Sequence, residues 1–559
     1  MLYIEYGEEC FYRHVFPSPQ GYVSHGDSWL PLGRDGVKPE TDFVQVSCAA
    51  NNVTTYKFVH YQVYKRPEIS PRTTDSTKKR PDVHILVIDS ASMPQVRRAL
   101  PKTVKYIAEE MGAQFFLFHS KKAADTMGQS HALLMGKVTE KLWARPGSES
   151  YPHMDIMDVG ACAENSTYVL KTFRDRGYKV LMSEDWTTQK FMSCKDEEEL
   201  AVDHYMSVYW LKMKQIFPFS HVSAHFGPAG RIHYHPNMWE KFCIERHFQM
   251  WNYLEDFMEK YKNFPQLTVT WLGHLTHDYR GDLFKYDDDF LEFFKRMKNK
   301  TKNSHFFFLG DHGNRIYSDK SMFWDRVEDK NPAFFYIPPQ SIQKNKAIMK
   351  RVKQNSQQLV STMDIHATLV DILKNVDDFD SPIAPNMPEY VVGSSVLREL
   401  SQPRNCDTLE LSFEYCMCET FGPRTQNHSL SHVLANAAVR YMNDFIQASN
   451  DSDICAPLEL SKDFKPYVEE YRPEEYKDKE ERIYIVTLKT HPGNALYMPH
   501  ISVSNNGTMK VVSYVGRKNA FGHQARCIND RYKVMKYMDN LCFCKNLLND
   551  EREVNKVNN

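Results

Sequence analysis

The stretch Val83-His-Ile-Leu-Val-Ile-Asp89-Ser90 reads as a strand buried on both faces, because its apolar run lacks the strict alternation of a half-solvated strand. It ends in a carboxylate. Comparable runs recur at 114–118, 178–182, 267–272, 306–309 and 334–337. Between them lie segments with helical spacing: 97–111 with an interruption at Pro101, 130–143, 239–261, 289–298 and 364–373. In the last of these, Ile365, Leu369, Ile372 and Leu373 share one face. Strands that alternate with helices in this way predict an α/β fold, a doubly wound and mostly parallel sheet with helices on both sides.

Outward from this core, Phe43-Val-Gln-Val-Ser-Cys48 and Tyr56-Lys-Phe-Val-His-Tyr-Gln-Val63 are strand-like, and a polar run covers 66–79. Residues 1–80 are therefore expected to form a β-rich lead-in and linker, and residues 81–400 the α/β core. Downstream, 482–486, 501–503 and 509–515 around Asn505-Asn-Gly507 predict an antiparallel hairpin or small sheet. That sheet would belong to a cysteine-bearing α+β subdomain over 401–559. A chain of 559 residues can bury cores of this size without staples.

The 70 Lys and Arg residues against 71 Asp and Glu leave a net charge of −1, which provides no basic field for nucleic acid or an anionic membrane. No apolar stretch approaches the roughly 18 residues of a membrane span. The opening Met1-Leu-Tyr-Ile-Glu-Tyr-Gly-Glu-Glu-Cys10 has neither the basic start nor the apolar centre of a signal peptide. The 12 cysteines argue for an oxidising compartment all the same, clustering at Cys10, Cys48, Cys406, Cys416, Cys418, Cys455, Cys527, Cys542 and Cys544. A zinc reading of Cys416-Met-Cys418 and Cys542-Phe-Cys544 is the alternative, although the one-residue spacers are short for it. Six sequons, at Asn52, Asn165, Asn299, Asn427, Asn450 and Asn506, fit secretion. The expectation is a secreted or lumenal, disulfide-bonded glycoprotein whose signal is missing from this chain.

In an open parallel sheet ligands bind beyond the carboxyl ends of the strands. Three such exits carry chemistry: Asp89-Ser90, Asp311-His312-Gly313, and His274-Leu-Thr-His277-Asp278. Carboxylates and imidazoles from separate strands suit zinc or a similar divalent ion. Each alone has an ordinary reading, since an Asp after a strand is often a helix cap and a lone His is usually structural. Their joint order on successive strands is hard to reach by chance.

Ile85-Leu-Val-Ile-Asp89-Ser, Asp311-His312-Gly313 and Met363-Asp-Ile-His-Ala-Thr-Leu-Val-Asp-Ile-Leu373 resemble segments of the alkaline phosphatase and sulfatase superfamily. More narrowly, Asp89-Ser-Ala-Ser-Met, Leu100-Pro-Lys-Thr103, Ser183-Glu-Asp-Trp186, Thr276-His-Asp278 and Tyr390-Val-Val-Gly-Ser-Ser resemble the DUF229 family over most of 40–545. The resemblance implies an alkaline phosphatase-like core that hydrolyses phosphate or sulfate esters at one or two divalent ions, zinc first and calcium or manganese as alternatives. It implies that Thr126, in Ala124-Asp-Thr126-Met-Gly-Gln-Ser-His, is the nucleophile. Asp89, Asp311 and His312 would bind one ion together with Thr126, and His277 would help hold a second.

Thr126 at a helix start would meet an anionic ester with backbone N–H groups and a positive dipole, although threonine there is also a favoured N-cap. The chain departs from the family pattern in two places. His274 stands where a glutamate is common, and Ala123-Ala-Asp125 stands where Gly-Asp-Asn precedes the threonine. His366 is a further ligand candidate, with a buried structural histidine as the better reading. His233-Tyr-His235 reads as exposed loop histidines.

Cys-X-Pro-X-Arg is absent; Cys455-Ala-Pro-Leu-Glu459 lacks the arginine, which disfavours a formylglycine sulfatase. No phosphate loop, dinucleotide fingerprint or His-Glu-X-X-His helix is present. The sequence therefore predicts an extracytoplasmic, metal-dependent hydrolase, with a phosphate- or sulfate-ester substrate that could be part of a glycan or lipid head group. A non-catalytic glycan- or protein-binding module on the same fold is the alternative.

Overall fold

Asn51 and Asn52 take left-handed conformations (φ 51° and 63°) and so turn the chain tightly enough to pair the strands on either side. The computed structural model describes residues 9–18, 22–26, 28–65, 80–143, 151–153, 167–185, 200–216, 245–277, 280–317, 322–375, 378–418, 421–471, 481–519, 524, 527–528 and 538–548. The polar run at 66–79, Asn165, Trp186, His233, His235 and Asp278 lie outside them. Strand β1 (Glu9–Ser18) pairs antiparallel with β2 (Phe43–Ala50), and β2 with β3 (Val53–Tyr61). Cys10 and Cys48 face each other across β1 and β2 and are joined by a disulfide.

A buried polar clamp ties this sheet to the core. Asp42 accepts from His204 Nδ1 at 2.7 Å, from the Tyr253 hydroxyl at 3.2 Å and from the Tyr64 N–H at 2.7 Å, while His204 Nε2 lies 2.8 Å from the Tyr261 hydroxyl. Asp42→Ala would strand these partners in the interior. It is expected to cost about 3–5 kcal/mol in denaturant unfolding.

The central sheet contains β4 (Val83–Ile88), β5 (Gln114–Phe115), β6 (Lys179–Glu184), β7 (His204–Tyr205), β8 (Gln266–Leu272), β9 (His305–Gly310) and β10 (Phe334–Ile337). Their spatial order is β7-β6-β8-β4-β9-β10-β5. The first five are mutually parallel; β10 runs antiparallel to β9, and β5 antiparallel to β10. The expected strand over 114–118 is thus only a two-residue edge.

Alternate residues feed opposite layers, as a period of two requires. Leu86, Ile88, Phe306 and Phe308 pack with α1 (Met93–Ala99), α2 (Pro101–Met111) and the later helices Arg246–Lys260 and Asp287–Lys300. Val83, Ile85, Val87, Phe307 and Leu309 pack with α3 (Thr126–Met135), α4 (Val169–Asp175) and the helix Thr362–Lys374. The helix expected over 130–143 therefore starts four residues earlier and stops at Gly136, whose left-handed φ of 62° ends it.

Beyond the core, the strands Tyr467–Tyr471, Glu481–His491, His500–Ser504 and Met509–Val511 form an antiparallel sheet in sequence order. Gly507 (φ 84°) lies in the turn of the expected hairpin. Helix His428–Gln447 covers one face, packing Leu434, Ala438 and Met442 against Val486, Leu488 and Ile501. Disulfides join Cys406 to Cys416, Cys455 to Cys542 and Cys527 to Cys544. Cys416, Cys542 and Cys544 are thereby oxidised, which removes the thiolates a zinc site would need. Among the described residues no helix is long and apolar enough to cross a membrane.

Candidate functional site

β4 and β9 are neighbours in register, Ile88 opposite Gly310, so the next residues, Asp89 and Asp311, stand side by side at the carboxyl edge of the sheet. Ser90 (φ 57°) holds them there: its N–H donates to Asp311 Oδ1 at 2.8 Å and its hydroxyl to Asp89 Oδ1 at 2.7 Å. The His312 N–H also donates to Asp311 Oδ1, at 2.7 Å. The His312 ring turns back so that Nδ1 lies 2.8 Å from the Gly313 carbonyl oxygen. A carbonyl only accepts, so the proton sits on Nδ1 and Nε2 carries a lone pair.

That nitrogen lies 3.6 Å from Asp311 Oδ2, 3.9 Å from Asp89 Oδ1 and 3.2 Å from Thr126 Oγ1. Thr126 Oγ1 is in turn 3.4 Å from Asp89 Oδ2. Asp89, Asp311 and His312 each place one donor atom within 4.8 Å of the others, and all three are buried. Asp311 Oδ2 is buried without a hydrogen-bond partner. Burial, with Asp89 alongside, raises the pKa of Asp311, and burial lowers that of His312 to about 4, leaving the imidazole neutral near pH 7. Two carboxylates, one of them with an orphaned oxygen, and a neutral imidazole converging on one point fit a borderline divalent cation.

α3 places the fourth group. Asp125 is its N-cap, the carboxylate accepting from the Gly128 N–H at 3.0 Å. Thr126 is therefore the first helical residue and not the cap. Its half-buried hydroxyl faces Asp89 and His312, at the positive end of the helix dipole. Ahead of it, the Ala124 N–H donates to Glu140 Oε1 at 2.7 Å, and Ala123 fits because Gly128 offers no Cβ to collide with it.

The Asp-His-Gly turn also depends on a glycine. A Cβ on Gly313 would collide with the Glu328 carbonyl oxygen. Gly313→Ala is expected to cost about 1–3 kcal/mol in unfolding. It should also lower the bound metal in elemental analysis, because the Gly313 carbonyl fixes the His312 ring.

His277 follows β8, its N–H donating to the Gly273 carbonyl at 3.2 Å, and it is not one of the three clustered residues. The Gly273 and His274 N–H groups both donate to Asp185 Oδ1, at 2.7 and 3.1 Å. Burial raises the pKa of Asp185 to about 6 against the pull of Arg246. His366 packs under α3, with Nδ1 3.0 Å from the Leu133 carbonyl oxygen and its ring against Gly136. It is a structural histidine.

Sequence reading missed two cations. Lys121 is buried and pairs with Asp329 at 2.5 Å; the Tyr317 hydroxyl donates to the same carboxylate at 2.8 Å. Arg315 makes no hydrogen bond or ion pair with a described residue. Burial opposes its charge, but Asp125, Asp89 and Asp329 outweigh burial and raise its pKa. The signal for both was positional: a lysine pair just before Asp125-Thr126, and an arginine three residues after His312.

A family model described as "Protein of unknown function (DUF229)" matches residues 21–463. No curated protein matches the chain. Among solved structures, the chain is similar to the lipoteichoic acid synthase LtaP from Listeria monocytogenes, at 12% identity over 78% of this chain and 87% of that one, with a TM-score of 0.34. It is similar to a protein in the alkaline phosphatase superfamily from Vibrio parahaemolyticus, at 11% identity over 81% and 88%, with a TM-score of 0.36. It is also similar to the phosphonate monoester hydrolase SpPMH from Silicibacter pomeroyi, at 9% identity over 81% and 93%, with a TM-score of 0.37.

Proposed function

The chain belongs to the DUF229 family, and from that membership and the ligand cluster at its strand ends we propose that it is a metal-dependent hydrolase of phosphate or sulfate esters. The observation that carries this reading is the convergence of Asp89, Asp311, His312 Nε2 and the Thr126 hydroxyl. Asp89, Asp311 and His312 would hold one divalent ion with Thr126 beside it, and His277 stays outside that set. Bound there, the ion would supply Lewis acidity and lower the pKa of the Thr126 hydroxyl.

Thr126 Oγ1 is the nucleophile. After its proton passes to solvent, it forms a bond to phosphorus or sulfur while the alcohol oxygen of the ester leaves with the bonding pair and takes up a proton; water then attacks the same phosphorus or sulfur, the bond to Oγ1 breaks, and Thr126 regains its proton. The first-turn N–H groups of α3 and the guanidinium of Arg315 would receive the non-bridging oxygens. The disulfides support an extracytoplasmic setting.

The test is elemental analysis of protein from a secretory host, followed by turnover of p-nitrophenyl phosphate, bis-p-nitrophenyl phosphate and p-nitrophenyl sulfate. About one divalent ion per chain is expected, with turnover lost to chelator and restored by Zn²⁺, Mn²⁺ or Ca²⁺. A chain that holds no metal and hydrolyses none of the three would be a binding module instead.

A further inference from the structure

Outside the ligand cluster, a cleft of about 530 Å³ opens between α1, the turn Arg280–Lys285 and the helix Met322–Lys330. Gln95, Arg98, Phe284, Trp324, Asp325 and Glu328 line it. The cleft lies within the size range of small-molecule sites, about 300–1,000 Å³. Its aromatic residues stay in water: Trp324 is 65% exposed and Phe284 56%, with Phe323 next to Trp324 at 57%. Phe323 and Trp324 meet edge to face at 5.2 Å, which orders the rim. Phe284 and Trp324 thus present exposed apolar rings to one cleft.

The floor is polar, with the buried Asp325 beside an internally paired Arg98 and Glu328. Arg98 pairs with Glu328 at 2.7 Å, and the Ser92 hydroxyl donates to the other Glu328 oxygen at 3.0 Å. These bonds fix planar hydrogen-bonding groups in place. An anionic ligand would have to break the Arg98–Glu328 pair, a quaternary ammonium would meet the Arg98 guanidinium, and an alkyl chain would offer the polar floor no hydrogen bond. A pyranose offers what both walls require, an apolar C–H face for the rings and a rim of hydroxyls that donate and accept.

We propose that this cleft binds a pyranose ring of a neutral glycan. Ser92 lies three residues beyond Asp89, a span of at most about 11 Å of chain. Its bond to Glu328 ties the cleft floor to the strand exit that carries Asp89. As a binding site the cleft stands alone; as the place that holds the sugar part of an ester, it rests on the hydrolase reading.

The test is calorimetric titration of the full chain with cellotriose, chitotriose and maltotriose, and with tetramethylammonium as the cationic control. At least one trisaccharide is expected to bind with a Kd of about 1 mM or tighter. Trp324→Ala and Phe284→Ala should each weaken it about tenfold, and Asp311→Asn should leave it within about twofold. Both aromatic positions are exposed, and unchanged thermal unfolding of each variant checks that it folds. The proposal fails if no trisaccharide binds, if Trp324→Ala binds as well as the parent, or if tetramethylammonium binds more tightly than every sugar. Sugar binding without ester turnover would leave the cleft standing and remove the hydrolase; turnover without sugar binding would do the reverse.

Discussion

Asp311→Asn is expected to strip the divalent ion and to reduce ester turnover by on the order of 10³-fold or more, while making the metal-free protein more stable by about 1 kcal/mol. The two effects have opposite signs for one reason. Without a cation, Asp89 and Asp311 are buried neighbours whose charges repel, and the raised pKa of Asp311 reflects burial first and that repulsion second. Asparagine keeps the Oδ1 acceptor used by the Ser90 and His312 N–H groups and replaces the orphaned Oδ2 with an uncharged donor. Elemental analysis, turnover, and thermal unfolding in chelator measure the three effects separately. A variant with full metal and full rate would remove the cluster as the centre of the chemistry. A variant less stable than the parent in chelator would show that the pair is not repulsive.

The strands nearest this cluster were legible because a strand covered on both faces leaves an unbroken apolar run. Val83–Ile88 and Phe334–Ile337 can be read to the residue. The direction of Phe334–Ile337 cannot, since a buried antiparallel strand carries the same run as a parallel one. The start of α3 was obscured because Thr126-Met-Gly-Gln shows no apolar stripe; what fixes it is the Asp125 cap, a local bond that competes with many other uses of aspartate.

The site divides along the same line. Asp89, Asp311 and His312 were legible because each directly follows a strand, and adjacency in the sheet then brings them together. His277 follows a strand too, yet a four-residue turn bonded to itself separates it from the edge, and nothing in its spacing shows where the ring ends up. Lys121 and Asp329 are 208 residues apart in sequence, and no local pattern announces a partner at that distance. Arg315 stands three residues after His312, but no local pattern links it to Asp125, Asp89 and Asp329, whose charges act on it.

Thr126→Ala is the companion experiment, expected to reduce turnover by on the order of 10⁴-fold with the fold intact and most of the metal retained. The fold should survive because Asp125, not Thr126, caps α3, and alanine is well tolerated in a first helical turn. The metal should largely remain because Asp89, Asp311 and His312 supply its other donors. Thr126→Ser keeps the hydroxyl at the same helix position and should stay within about tenfold of the parent. Asp125→Ala is the contrast, costing about 1 kcal/mol of stability through the lost cap. Mass spectrometry of a slow substrate quenched during turnover should find the phosphoryl or sulfuryl group on the peptide carrying residue 126 in the parent and the serine variant, and not in the alanine variant. If Thr126→Ala turned over at the parent rate, the hydroxyl would be a spectator beside the metal and water would have to attack directly. If it lost the metal along with the rate, Thr126 would be a ligand first, and the nucleophile would have to be sought elsewhere in the site.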